Sequence, residues 1–289
     1  MITAKPYILA IQMLASPFHY HFMQNAIIAG TIVAVIAGIV GYFMVIRNQS
    51  FAGHSLANVG FAGATGAALF GVSPLIGLFI SGTLAAAGIH LLGAGTRQTG
   101  RSDIATGAVF TASLAVGFLF VYLSESQSTS IYDILFGNVL GISDPDVLAI
   151  VISGVVAFVI MVLFSRPLLF ASVDPTVAAA RGVPVRLLDF GFLIVLSLVV
   201  SMAIQVVGVL LIFALLVTPA AIAKRLSPNP PVAAFLSVCM AVIFTWTGLA
   251  AGYYTPFPVS FYITSFAFIA YIAVRIGEYI ALRRAHVSV

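Results

Sequence analysis

The sequence predicts an all-α integral membrane protein, a polytopic bundle of about eight to nine transmembrane helices with one short helix on its cytoplasmic side. Three observations predict it. Of 289 residues, 62% are hydrophobic and 7% charged, and the mean hydropathy is +1.17, whereas a soluble domain carries about 25% charged residues. So few charges cannot coat a water-soluble particle, which makes the bilayer the main solvent. The apolar residues also fall in runs of the length a span needs, roughly 20 residues. Finally, nearly all basic residues fall on one side of the map that those runs draw.

Residues 1–22 hold Lys5, Pro17 and His19-Tyr20-His21, with no small-residue cleavage site ahead of the first long run. An extracytoplasmic or interfacial segment is expected there, not a cleaved signal. His19 and His21 beside Phe18, Tyr20 and Phe22 suit an interfacial aromatic belt. Apolar runs follow at about 23–46, 53–72, 75–95, 104–123, 147–165, 187–205, 207–223, 231–253 and 258–282. These make nine spans; around Gln205 to Gly208 two runs meet with almost no polar loop, and one broken element there makes eight. On this map Arg47, Arg97, Arg101, Arg166, Arg181, Arg186, Lys224, Arg225, Arg283 and Arg284 share one side and Lys5 takes the other, a split of ten to one. The positive-inside rule then sets the N-terminus outside and the C-terminus inside. A single membrane domain over 23–284 and a cytoplasmic tail over 285–289 follow. The net charge of +4 is thus a topology signal, and no nucleic-acid partner is expected.

Within the second run, Gly60, Gly63 and Gly66 let helix backbones approach closely, which predicts a central position. Between the fourth and fifth runs lie Glu125, Asp133, Asp144 and Asp146, around the stretch Ile131 to Gly137. That stretch is too short to cross and too apolar for a free loop, so it is expected as an interfacial or re-entrant helix.

Polar residues inside apolar runs are costly and point to function. His54 and Asn58 stand four apart, on one face of a helix and one turn from each other. Both carry lone pairs for a cation, which suggests a polar pathway; equally, both can serve helix-start or interhelical hydrogen bonds. His90 can bond a neighbouring helix, and Asp189 and Gln205 flank the sixth run as boundary residues. Between Ser172 and Arg186, Asp174 suits an N-cap, Pro175 the first helical position, and Gly182 the end. The result is a short surface helix bearing Arg181, either a docking element or a stiff connector. Pro219, inside an apolar helix, favours a kink. No nucleophile pattern, paired catalytic carboxylates or Walker signature occurs, and the lone Cys239 excludes a cysteine-cluster metal site. A catalytic role is therefore not expected, and any ATP must be handled by another chain.

Three stretches, in this order, resemble the permease subunits of bacterial zinc, manganese and iron ABC importers: Gly53 to Asn58, Asp174-Pro175 to Gly182, and Val207-Gly208 to Thr218-Pro219-Ala220. Arg101-Ser102-Asp103 with Gly107 is also similar to that family's charged start of the fourth span. The likeness covers roughly Phe22 to Arg284.

The resemblance implies a homodimer in the cytoplasmic (inner) membrane that moves divalent metal ions by alternating access. Each copy would dock on a cytoplasmic ABC ATPase through a coupling helix of about 174–182, including Asp174, Pro175, Arg181 and Gly182, and be fed by an extracytoplasmic metal-binding protein. No permanently bound cofactor is implied; metal is substrate, and ATP acts through the partner. His54 and Asn58 stand where the family has a metal-gating Asp and His. A neutral His/Asn pair holds a divalent cation less tightly and favours nitrogen-preferring metals over Mn²⁺. Rival functions are an ABC permease for a metal chelate or vitamin and a gradient-driven secondary carrier. A carrier would be expected to hold acids in the middle of its spans, where this chain has none.

Overall fold

In lipid a helix satisfies its backbone polar groups within one segment, so apolar runs of this length have one stable form. The computed structural model describes residues 20–93, 99–124, 132, 134–209 and 211–287, and the described residues hold ten α-helices. These are α1 (His21–Ile46), α2 (Ser50–Leu69), α3 (Pro74–Gly93), α4 (Thr99–Leu123), α5 (Asp144–Val173), α6 (Pro175–Ala180), α7 (Val185–Val207), α8 (Ile212–Leu226), α9 (Pro230–Tyr254) and α10 (Val259–Val287). Lys5, His19, Arg97, Glu125 and Asp133 lie outside the described residues.

Each of the nine apolar runs contains a helix, but only seven helices are long and apolar enough to cross a membrane unaided. The other two are α2 and α8. Helix α8 has 15 residues, about 22 Å at 1.5 Å per residue, short of a core about 30 Å thick. Helix α2 is diluted by glycine and by His54, Ser55, Asn58 and Thr65. It stands because protein surrounds it: twelve of its 20 residues are buried. The fifth run extends past the predicted 165 to Val173, through Pro167.

The glycines of α2 explain its central position. A Cβ at Gly63 would collide with Ser81 and with the Gly77 carbonyl of α3, one at Gly60 with Ile204 of α7, and one at Gly66 with Phe120 of α4. The helix is therefore shaved on the sides that meet α3, α4 and α7. Ser201 of α7 donates to the Leu78 carbonyl at 2.9 Å, closing the α3–α7 side of this cluster.

Helices α7 and α8 are separate elements. The chain leaves α7 at Gly208, whose φ of +84° lies in the left-handed region open mainly to glycine. The freed backbone groups are met by the connection ahead of α5: Val209 N–H donates to the Ile134 carbonyl at 3.1 Å, and Asn138 N–H to the Gln205 carbonyl at 3.3 Å. Gly137, with φ +76°, packs backbone to backbone on Gly208. Ile134 to Phe136 are helical, and Ser260 of α10 donates to the Phe136 carbonyl at 2.6 Å. The segment expected to be re-entrant is thus wedged into the α7–α8 break. At the same end, Asp144 and Asp146 occupy the first turn of α5, where the helix dipole favours negative charge. Asn25 of α1 donates to Asp144 at 2.6 Å.

Because the α2–α3 contact is backbone to backbone, Gly63→Val is expected to lower the midpoint of thermal unfolding in detergent, with a loss of about 1–3 kcal/mol. Gly277→Ala, on α10 with open space around its Cβ, should leave it unchanged or raise it, by up to about 1 kcal/mol.

Candidate functional site

Helix α2 carries the polar pair near its start, His54 in its second turn and Asn58 in its third. His54 stacks loosely beside Phe110 of α4, ring centroids 6.0 Å apart, and meets Phe213 of α8 edge-on at 5.5 Å. Phe213 stands eleven residues before Lys224 on α8, and Phe110 eleven residues after the start of α4, about 16 Å along each helix at 1.5 Å per residue. His54 therefore meets rings about three turns from the basic ends of α4 and α8, although its own helix begins only four residues earlier.

Asn58 lies on the same face, as its spacing predicts. Its amide donates to the His54 carbonyl at 2.9 Å, and Nδ2 stands 3.4 Å from His54 Nε2. The amide is thus bonded within α2, to the preceding turn, and the bond is neither a helix-start nor an interhelical one. A half-turn of the amide exchanges its nitrogen and oxygen, giving up the bond to the carbonyl. Two lone-pair donors then stand 3.4 Å apart, the edge of a tetrahedron with metal bonds of about 2.1 Å. Two donors do not fill a tetrahedron. Among the described residues no group of three or more His, Cys, Asp or Glu could hold a metal ion.

A second polar cluster lies at the basic end, and sequence reasoning missed it. Arg47 follows α1, and its side chain is 6% exposed. Its guanidinium pairs with Asp189 of α7 and donates to Ser172 Oγ at 3.1 Å and to the Leu168 carbonyl at 3.5 Å, both on α5. It also lies 5.3 Å from the ring centre of Phe192. Asp189, expected only as a boundary residue, is the counter-ion of a buried arginine. His90 stands near enough to act on Asp189 electrostatically, and packs on Phe190 at 4.8 Å. The available signal was an acid and a base at the same end of two apolar runs; their separation of 142 positions hid the pairing.

Between α5 and α7 lies α6. Asp174 caps it, accepting from Thr176 N–H at 2.9 Å and Val177 N–H at 3.0 Å, Pro175 is its first residue, and the chain leaves at Gly182 with φ +82°. The capping geometry expected from the sequence is present in full. Ala178 anchors the helix, wholly buried, while Arg181 is exposed. Pro219 lies inside α8, six residues from Phe213.

Long apolar helices wrapped around one polar helix define a multi-pass membrane protein of the transporter class. The chain belongs to the ABC 3 transport family, which it matches over residues 19–278. It is 33% identical to the manganese transport system membrane protein MntC of Halalkalibacterium halodurans, over 88% of this chain and 84% of that one. It is 32% identical to the chelated iron transport system membrane protein YfeC of Yersinia pestis, over 84% of this chain and 82% of that one. Among solved structures, PsaBC from Streptococcus pneumoniae in complex with Fab superposes with a TM-score of 0.81 at 29% identity, covering 92% of this chain and 95% of that chain.

The hydrogen bond from Val177 N–H, helped by Thr176, holds the Asp174 carboxyl below its ordinary value of 3.8, against a smaller opposing effect of burial. A depressed folded-state pKa means that the cap is complete above the ordinary value and is lost as pH falls through the lower one. Amide protection at Thr176 and Val177 should therefore persist to below pH 3.8. In Asp174→Ala it should fall about fivefold at neutral pH, as read by hydrogen exchange.

Proposed function

We propose that this chain is the membrane permease of an ATP-driven importer of divalent metal ions, zinc, manganese or iron, working by alternating access. The observation that carries the reading is the His54/Asn58 pair on the central helix, with His54 set between Phe110 and Phe213, about three turns from the basic ends of α4 and α8. A hydrated ion crossing there would exchange water for an imidazole nitrogen and an amide oxygen, within apolar walls that keep competing water out. The metals named for the two relatives support the substrate class.

One chain offers two donors, so a homodimer, each copy adding its own His54 and Asn58, completes a four-donor site. Helix α6, with Asp174, Pro175, Arg181 and Gly182, docks on a cytoplasmic ABC ATPase, which hydrolyses ATP; this chain is non-catalytic and holds no resident cofactor. The acidic end receives metal from an extracytoplasmic binding protein. The orientation is N-terminus out and C-terminus in, in the cytoplasmic membrane, as the ten-to-one split of basic residues supports. Pro219 lets the end of α8 bearing Phe213 bend relative to Lys224.

A neutral His/Asn pair has no anionic oxygen to reward a hard ion, so the site favours Zn²⁺ over Mn²⁺. Uptake of Zn²⁺ into proteoliposomes holding the permease with its ATPase should require ATP and fall by at least about 10–100-fold in His54→Ala, the cost of disturbing a ligand. Undiminished uptake would remove the site, and uptake without ATP would make the chain a carrier. In His54→Asp/Asn58→His, competition between the two ions should shift toward Mn²⁺.

A further inference from the structure

Arg47 has no part in the reading above, yet it stands between the helices that carry α6 and the turn that leads into α2. On one side it grips both helices that flank α6. It holds the end of α5 through Ser172 and the Leu168 carbonyl, and the start of α7 through Asp189 and the Phe192 ring. Helix α6 is joined to those two helix ends by Asp174 and by Arg181 to Pro184, and is seated through Ala178. On the other side Arg47 begins the turn into α2. Asn48 takes φ +55°, Gln49 N–H donates to the Met44 carbonyl at 2.9 Å, and Gly53 N–H to the Gln49 carbonyl at 3.1 Å. Gly53 packs directly on the buried Met44. The first two turns of α2 therefore ride on the end of α1, and His54 lies in the second of them.

Apolar contacts slide with little loss, but a buried guanidinium does not. Pulling it from its carboxylate leaves an unpaired charge in a low dielectric, a far larger penalty than shifting a packed methyl group. With five donors in a planar fork, arginine can hold several elements at once, which lysine cannot. Arg47 Nε and Gln49 Oε1 are buried without a hydrogen-bond partner among the described residues.

We propose that Arg47 is a positioning residue that ties the helix ends bearing α6 to the α1–α2 turn, so that displacement of α6 moves His54 and Asn58. The inference rests on α6 being the ATPase dock. Its measure is metal delivered per ATP hydrolysed, which a merely structural residue would not alter in complexes that assemble.

The test uses the permease reconstituted with its ATPase in proteoliposomes, with Zn²⁺ and Mn²⁺ each supplied alone. Wild-type complexes without ATP-driven uptake would sink the proposed function itself. If the wild type couples, Arg47→Gln should keep ATPase turnover within about twofold while metal per ATP falls about tenfold, within the usual range of coupling between sites. Asp189→Asn should behave alike, and the double variant should be no worse than either. Arg47→Lys should recover part of the ratio. Arg225→Gln, which breaks an exposed pair with Glu278 joining α8 to α10, should keep it. Should Arg47→Gln not assemble, Ser172→Ala removes the bond from Arg47 and the one Ser172 donates to the Leu168 carbonyl, and no charge, and should lower the same ratio by about twofold. An unchanged ratio in assembled Arg47→Gln or Ser172→Ala would overturn the proposal, as would an equal drop in Arg225→Gln, or uptake and ATPase falling together.

Discussion

The structure depends on one helix that cannot face lipid. Helix α2 carries too many polar groups and too little side-chain surface to be stable against acyl chains, so other helices must cover it. The same glycines that weaken it as a span let the backbone of α3 and the side chains of Phe120 on α4 and Ile204 on α7 pack directly on its main chain. Van der Waals packing and small residues drive helix association where lipid is as apolar as leucine. Covering α2 is what holds a histidine and an asparagine half-buried on an otherwise apolar bundle. The apolar helices on the outside, among them α4, α5 and α10, have mostly exposed faces, as the lipid-facing layer of such an arrangement requires.

Polar groups in this bundle are sorted by how they are solvated. Asp174 is open to water and spends its charge on a helix start. Arg47 is buried, and its charge is tolerable there because the half-exposed Asp189 meets it. His54 and Asn58 meet one another and His54 meets two aromatic rings. A charge taken from water is costly inside a membrane protein, and the charged groups here are solvated or paired.

The helical bundle was legible because composition and run length are local and strong. The cap at Asp174, the end at Gly182 and the close-packed face of Gly60, Gly63 and Gly66 were legible for the same reason, since each is encoded within one helix. Features set by distant partners were not. The rings that meet His54 come from α4 and α8, which no window around residue 54 contains. Asp189 reads as a boundary residue until Arg47 is placed beside it. Helices α2 and α8 fall short of what a lone span needs, and their neighbours make up the difference.

The glycines at 137 and 208, 71 positions apart, are in effect one site of the sequence. Each takes a left-handed backbone, and each lies where the other's Cβ would stand. What they share is the absence of matter between two main chains. A lost salt bridge can be rebuilt from its other partner, and a cavity can be filled from the opposite wall. A methyl group placed here could not be offset by shrinking its neighbour, because the neighbour is already as small as an amino acid can be. The wedge before α5 and the break before α8 are therefore inherited together or lost together.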